Sequence, residues 1–125
     1  MTHYPSLHSA PLATRLLAAA GALLAAASVA MAAYAAHAAQ GVDASRMHNA
    51  ALFAFGHGIA LATLAARRPR ALRTFALSTL LLGTLLFSGS LALAVFAGTR
   101  TTLAPIGGMA MIVSWLLIAI DALRH

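Results

Sequence analysis

All ten charged side chains of this chain fall in five places, and the stretches between them carry no charge at all. The places are Arg15; Asp43 and Arg46; Arg67, Arg68, Arg70 and Arg73; Arg100; and Asp121 with Arg124. They bound four windows, 16–42, 47–66, 74–99 and 101–120, of 27, 20, 26 and 20 residues. A helix of about 20 residues crosses a hydrocarbon core about 30 Å thick. The spacing therefore predicts four membrane spans. Strand barrels would need a polar and apolar alternation that these windows lack.

Composition points the same way. The chain is 62% hydrophobic and 8% charged, with a mean hydropathy of +0.88, against about 25% charged residues in soluble domains. So few polar groups cannot cover a water-facing surface. The windows are rich in alanine and leucine, both strong helix formers. In lipid the backbone must satisfy its own hydrogen bonds, which favours helix. The expected fold is all-α: a single domain over 1–125, an integral membrane four-helix bundle with spans near 14–39, 47–66, 74–97 and 103–123. Ser45 is expected to cap the second helix, Pro69 to sit in the next loop, and Pro105 to occupy the first turn of the fourth helix, where its missing N–H is harmless.

Absent residues exclude chemistry. With no cysteine, disulfides, thiolate metal sites and cysteine nucleophiles are ruled out. The net charge of +6 comes from arginines scattered among apolar segments, with no basic helix or aromatic strip of the kind that binds nucleic acid. Arginine bias instead sets orientation. Four arginines in 67–73 place that linker in the cytoplasm, and both termini with it. Arg15 followed by an apolar run and Ala30-Met31-Ala32 is the competing signal-peptide reading. The apolar stretch is long for a signal peptide and continues past Ala32.

Ionisable groups inside a membrane are costly, so His37 and His57 are candidate functional residues. With an outer loop at about 40–46, they differ in depth by eight residues, roughly 12 Å at helical rise, which is too far for one metal centre. No metal site and no cofactor is expected. His57 is placed near midplane beside Ser88 and Ser90, where an imidazole–hydroxyl hydrogen bond would join helices. Gly89, between the two serines, is expected to let a neighbouring helix approach. Gly21 with Ala25, and Gly58 with Ala62, have the spacing of close helix contacts. Asp121 is expected to pair with Arg124 or a loop arginine. Pro105, Gly107 and Gly108 shape the start of the fourth span, by close packing or by opening a small cleft. No catalytic residues are expected, since no Ser-His-Asp set, HExxH, phosphate loop or Rossmann fingerprint occurs.

Leu86-Phe87-Ser88-Gly89-Ser90-Leu91, then Ala104-Pro105-Ile106-Gly107-Gly108, then Trp115 form an ordered motif set. Together they closely resemble the YgdD-like family of small membrane proteins, whose members show LFSGSL in the third span and TPIGG before the fourth. The segment around Tyr34 and His37 is similar to the family's GAFGAHA, and Ala50, Phe53 and His57 to its second-span residues. Alanines stand for the glycines of the first motif, and Ala104 for the threonine. The resemblance covers roughly residues 16 to 123. It implies a four-helix inner-membrane protein without an established activity.

Two functional expectations follow. The first is a non-enzymatic structural or accessory protein of the bacterial inner membrane, partnered by the lipid bilayer and by further copies or a membrane complex. The alternative is a small-solute or proton pathway, or a lipophilic-ligand site, using His37, His57, Ser88 and Ser90.

Overall fold

The computed structural model describes residues 10–124. His3, His8 and His125 therefore lie outside the described residues. Four helices follow one another: α1 (Leu12–His37), α2 (Gly41–Leu64), α3 (Ala71–Ala97) and α4 (Leu103–Leu123). No strand occurs among the described residues. α1, α3 and α4 are long and apolar enough to cross a membrane. α2 is of similar length but carries Asp43, Arg46, His48, Asn49 and His57. It buries Met47, Ala50, Ala51, Ala54, Gly58 and Leu61, while those five polar residues stay at least partly exposed.

The turns explain the boundaries. α1 stops after His37, with the N–H groups of Ala38 and Ala39 both bonded to the Tyr34 carbonyl. Gly41 then takes a left-handed φ of 57° and opens α2, a conformation glycine adopts without steric cost. α2 thus starts earlier than the charge pattern suggested. Ser45 lies inside the helix rather than at its cap, and the N-cap position belongs to Gln40, without a side-chain bond. α3 ends at Gly98, in the left-handed region at φ 65°, as helices commonly do. Pro69 lies in the α2–α3 loop and Pro105 in the first turn of α4.

Packing is sequential rather than four-square. α1 packs on α2, α2 on α3, and α3 on α4, while α1 also touches α3. No Cα of α4 comes within 8 Å of α1 or α2. The bundle is therefore open along one side. A core of Leu17, Leu61, Ala65, Leu77, Leu80 and Met111 joins all four helices nearer the arginine-rich end. Leu23, Phe55, Phe75, Leu82, Ile112 and Leu116 are among many large apolar side chains left exposed. Lipid is the solvent that suits such a surface.

Two glycine contacts set the closest approaches. A Cβ on Gly21 would stand 2.5 Å from the Gly58 carbonyl oxygen and 2.6 Å from the Ala62 nitrogen, and one on Gly58 would stand 2.7 Å from the Gly21 oxygen and 2.9 Å from the Ala25 nitrogen. The two small-residue pairs of the sequence therefore face each other. α3 and α4 meet in the same way. A Cβ on Gly107 would lie 2.5 Å from the Phe87 nitrogen and 2.6 Å from the Gly83 oxygen. Close backbone approach through small residues is a common way for helices to associate in lipid.

Candidate functional site

Most hydroxyls on these helices are spent on their own backbone. Thr63, Ser78, Thr79, Thr84 and Ser114 each donate to the carbonyl four residues earlier, and Ser28 donates to Ala25. Such bonds satisfy the side chain without linking helices. Ser88 is different: its Oγ donates to the Ala50 carbonyl of α2 at 2.9 Å, fully buried. Ser90 is 5% exposed, and its Oγ has no hydrogen-bond partner.

His57 does not meet either serine. Its Nδ1 lies 2.7 Å from the Phe53 carbonyl oxygen, and its Nε2 lies 3.0 Å from the Trp115 indole nitrogen on α4. An indole N–H can only donate. Nε2 must therefore be the bare acceptor, and Nδ1 must carry the proton that goes to Phe53. One tautomer satisfies both contacts. The imidazole is thereby fixed as a bridge between α2 and α4, whose backbones do not otherwise approach.

The expectation that His57 sits level with Ser88 fails because α2 begins at Gly41. Ser88 bonds Ala50, and His57 lies seven residues further along the same helix, about 10 Å deeper at 1.5 Å per residue. Gly89 also departs from expectation. Nothing stands within 4 Å of a Cβ placed there, so it makes no close contact. Successive helical residues turn by about 100°, so Ser88 and Ser90 cannot share a face, and Gly89 between them points away from both packed sides. The glycine that admits α4 is Gly83, about 1.7 turns earlier.

Aromatic rings extend the His57 contact into a chain across three helices. Phe87 of α3 packs on Phe53 with centroids 4.6 Å apart. Phe53 stacks on His57 at 5.7 Å, and His57 meets Trp115 at 5.9 Å. Gly107 lies against the Phe87 backbone, and Gly108 is 4.0 Å from the Phe87 ring when given a Cβ. The motif residues Ala50, Phe53, His57, Phe87, Ser88, Gly107, Gly108 and Trp115 thus form one connected set. Trp115 remains 42% exposed, because the side of the bundle between α2 and α4 is open. Sequence reading used Trp115 only as a motif residue and missed the indole as the partner of His57. The signal was their near-equal distance, seven and eight residues, from the ends of α2 and α4, which run in the same direction.

The other candidates stand apart. His37 is exposed at the end of α1, and Pro105 is exposed on α4. Tyr34, beside His37 in sequence, packs on Phe96 of α3 with centroids 5.0 Å apart. Among the described residues, no three histidine or acidic side chains come together as metal ligands. At the arginine-rich end, Asp121 is 3% exposed and receives Arg73 through Nε at 2.9 Å and NH2 at 2.8 Å. Arg70 lies 4.0 Å from its other oxygen. An arginine of the 67–73 group, placed in the first turn of α3, pairs it, and the neighbour Arg124 does not.

Residues 31–108, more than half the chain, match the family described as Protein of unknown function (DUF423). The chain belongs to the DUF423 family. The matched stretch holds α2, α3 and the first turn of α4, and so takes in the Gly83–Gly107 contact, the Ser88–Ala50 bond and the Phe53–His57–Phe87 cluster. No curated protein and no solved structure matches this DUF423 chain.

Proposed function

We propose that this DUF423 protein is a non-enzymatic, multi-pass protein of the bacterial inner membrane, structural or accessory in role. All four helices cross the bilayer, and both ends face the cytoplasm. The motif set around Ser88, Pro105 and Trp115 supports the narrower placement among YgdD-like proteins. The observation that carries the reading is the closed pairing of His57. Both ring nitrogens are taken, one by the Phe53 carbonyl and one by the Trp115 indole, which leaves no free position for substrate, metal or a travelling proton. Side-chain hydrogen bonds between helices stabilise and orient a bundle in lipid. Ser88 fits the same account through its bond to Ala50.

Orientation rests on arginine. Arg15, Arg67, Arg68, Arg70, Arg73 and Arg124 lie at one end of the helices, and Arg46 and Arg100 at the other. The richer end is cytoplasmic by the positive-inside rule. Partners on this reading are lipid, further copies of the chain, or a membrane complex.

A second reading draws on the exposure of Trp115. A solute or proton path, or a lipophilic-ligand site, would use the open side between α2 and α4, with His57 at its floor. Reconstitution separates the two. In proteoliposomes the structural reading expects proton and small-solute leakage equal to that of empty vesicles. Flux above that level, abolished by His57→Phe in a folded protein, would overturn it. Reporter fusions in the 38–40 turn and at Pro69 test orientation, and a cytoplasmic signal is expected only at Pro69.

A further inference from the structure

Six of the eight arginines have a ready account, because they gather at the end where positive charge sets topology. Arg46 and Arg100 do not. They belong to the opposite end, on α2 and in the α3–α4 loop, far apart in sequence. Yet they line one cleft of about 430 Å³, together with Ala94, Gly98, Thr99, Thr101 and Thr102. Gly98 makes this possible, since its left-handed φ turns the chain out of α3 and folds the loop back towards α2.

The cleft is short of internal partners. Arg46 has only a long contact with Asp43, at 3.5 Å, and both side chains are well exposed, at 39% and 50%. Exposed pairs of this kind hold weakly. Arg100 makes no hydrogen bond or ion pair among the described residues, and neither do the hydroxyls of Thr99, Thr101 and Thr102. By contrast, Arg73 at the other end is held by the buried Asp121 carboxylate. The first turn of α4 adjoins the cleft, with no acidic residue and no side-chain cap on its N–H groups. Two features oppose an anion: the Asp43 carboxylate and the carbonyl end of α3, which carries about half a negative charge. Two guanidinium groups exceed them.

We propose that Arg46 and Arg100 form a binding site for a phosphate group, free or on a lipid headgroup, with the threonine hydroxyls of the loop as additional donors. A guanidinium meets two oxygens of such a group at once, and this cleft is lined by two of them. Phosphate binding joins the start of α2 to the α3–α4 loop, which no hydrogen bond or ion pair links among the described residues. This site is independent of the His57 contact and of whether the protein has further activities.

The test uses the full chain. In uncharged detergent micelles, inorganic phosphate is titrated at constant ionic strength and followed by the phosphorus NMR signal and by thermal stability. In a second arm, nanodiscs of phosphatidylcholine with or without phosphatidylglycerol are compared, and lipid retained on gentle release is identified by native mass spectrometry. Saturable binding of phosphate indicates a free ligand, and selective retention of phosphatidylglycerol alone indicates a headgroup. Either is expected to weaken at least tenfold in Arg46→Gln/Arg100→Gln and to persist in Arg124→Gln. The Arg46→Lys/Arg100→Lys variant, which keeps charge but loses the two-pronged geometry, should bind more weakly than wild type and more tightly than the glutamine pair. Absence of saturable binding in both arms overturns the proposal, and so does binding unchanged in the glutamine pair. Circular dichroism confirms that each variant is folded before its result is read.

Discussion

Replacing Gly21 by alanine should unlock α1 from α2, although the same exchange at Gly56 should do the reverse. At Gly21 the new methyl carbon would stand 2.5 Å from the Gly58 oxygen, 2.6 Å from the Ala62 nitrogen and 2.7 Å from the Leu61 Cβ. Ordinary contact begins at 3.4 Å. Two of the three neighbours are backbone atoms, so no side chain can rotate away. The helices must part by about 1 Å, and a gap of that size forfeits a quarter to a half of the dispersion energy at each facing atom pair. Overpacking of this kind costs about 1–3 kcal/mol. Alanine in a helix interior returns roughly 0.5–1 kcal/mol over glycine, which leaves a net loss on the order of 1–2 kcal/mol. At Gly56 nothing lies within 4 Å of the added carbon, so only the gain of about 0.5–1 kcal/mol remains. Both variants are compared with wild type by unfolding in mixed micelles of increasing dodecyl sulfate content, followed by circular dichroism. Opposite shifts of the midpoint are expected. If both variants shift the same way, the close α1–α2 contact is not what holds the first hairpin together.

The remaining predictions concern polar contacts. Trp115→Phe and His57→Phe should each destabilise the fold, and a double-mutant cycle should give a coupling of about 0.6 kcal/mol and no more than roughly 1.7 kcal/mol, the range seen for hydrogen bonds between helices in lipid. A coupling of zero would mean that the indole and the imidazole do not bond. Ser88→Ala should cost about 1 kcal/mol by stripping the Ala50 carbonyl of its second donor, whereas Ser90→Ala should be neutral or stabilising because it removes a buried hydroxyl without a partner; unfolding midpoints that rank the other way would contradict this. Asp121→Asn should be the most damaging of these exchanges. It strands Arg73, whose side chain is 14% exposed, and loss of one member of a buried pair costs about 3–5 kcal/mol. A midpoint within experimental error of wild type would show that Arg73 finds water or a headgroup instead.

Much of the fold could be read from charge placement, because lipid admits few alternatives. Ten charged residues were enough to separate four helices, and the small-residue spacing at Gly21–Ala25 and Gly58–Ala62 marked faces that do pack. Spacing along one helix cannot say which neighbour a face will meet. Gly89 illustrates the gap: flanked by serines in a glycine-containing motif, it looked like a point of close approach, yet the approach belongs to Gly83. His57 illustrates another. Its depth was counted from an assumed loop, and the start of α2 at Gly41 moved it a full two turns away from Ser88. The bond to Trp115 joins residues on helices whose backbones stay apart, so no local pattern announces it.

The two glycine contacts lie inside α1–α2 and inside α3–α4, each between neighbours along the chain. The protein is thus a pair of hairpins, each with its own clasp, and the α4 backbone approaches only that of its partner α3. During synthesis the first hairpin can close before the second has left the ribosome. A molecule pulled from its ends should accordingly give way in two events rather than one, with the α3–α4 half, free along one side, yielding first.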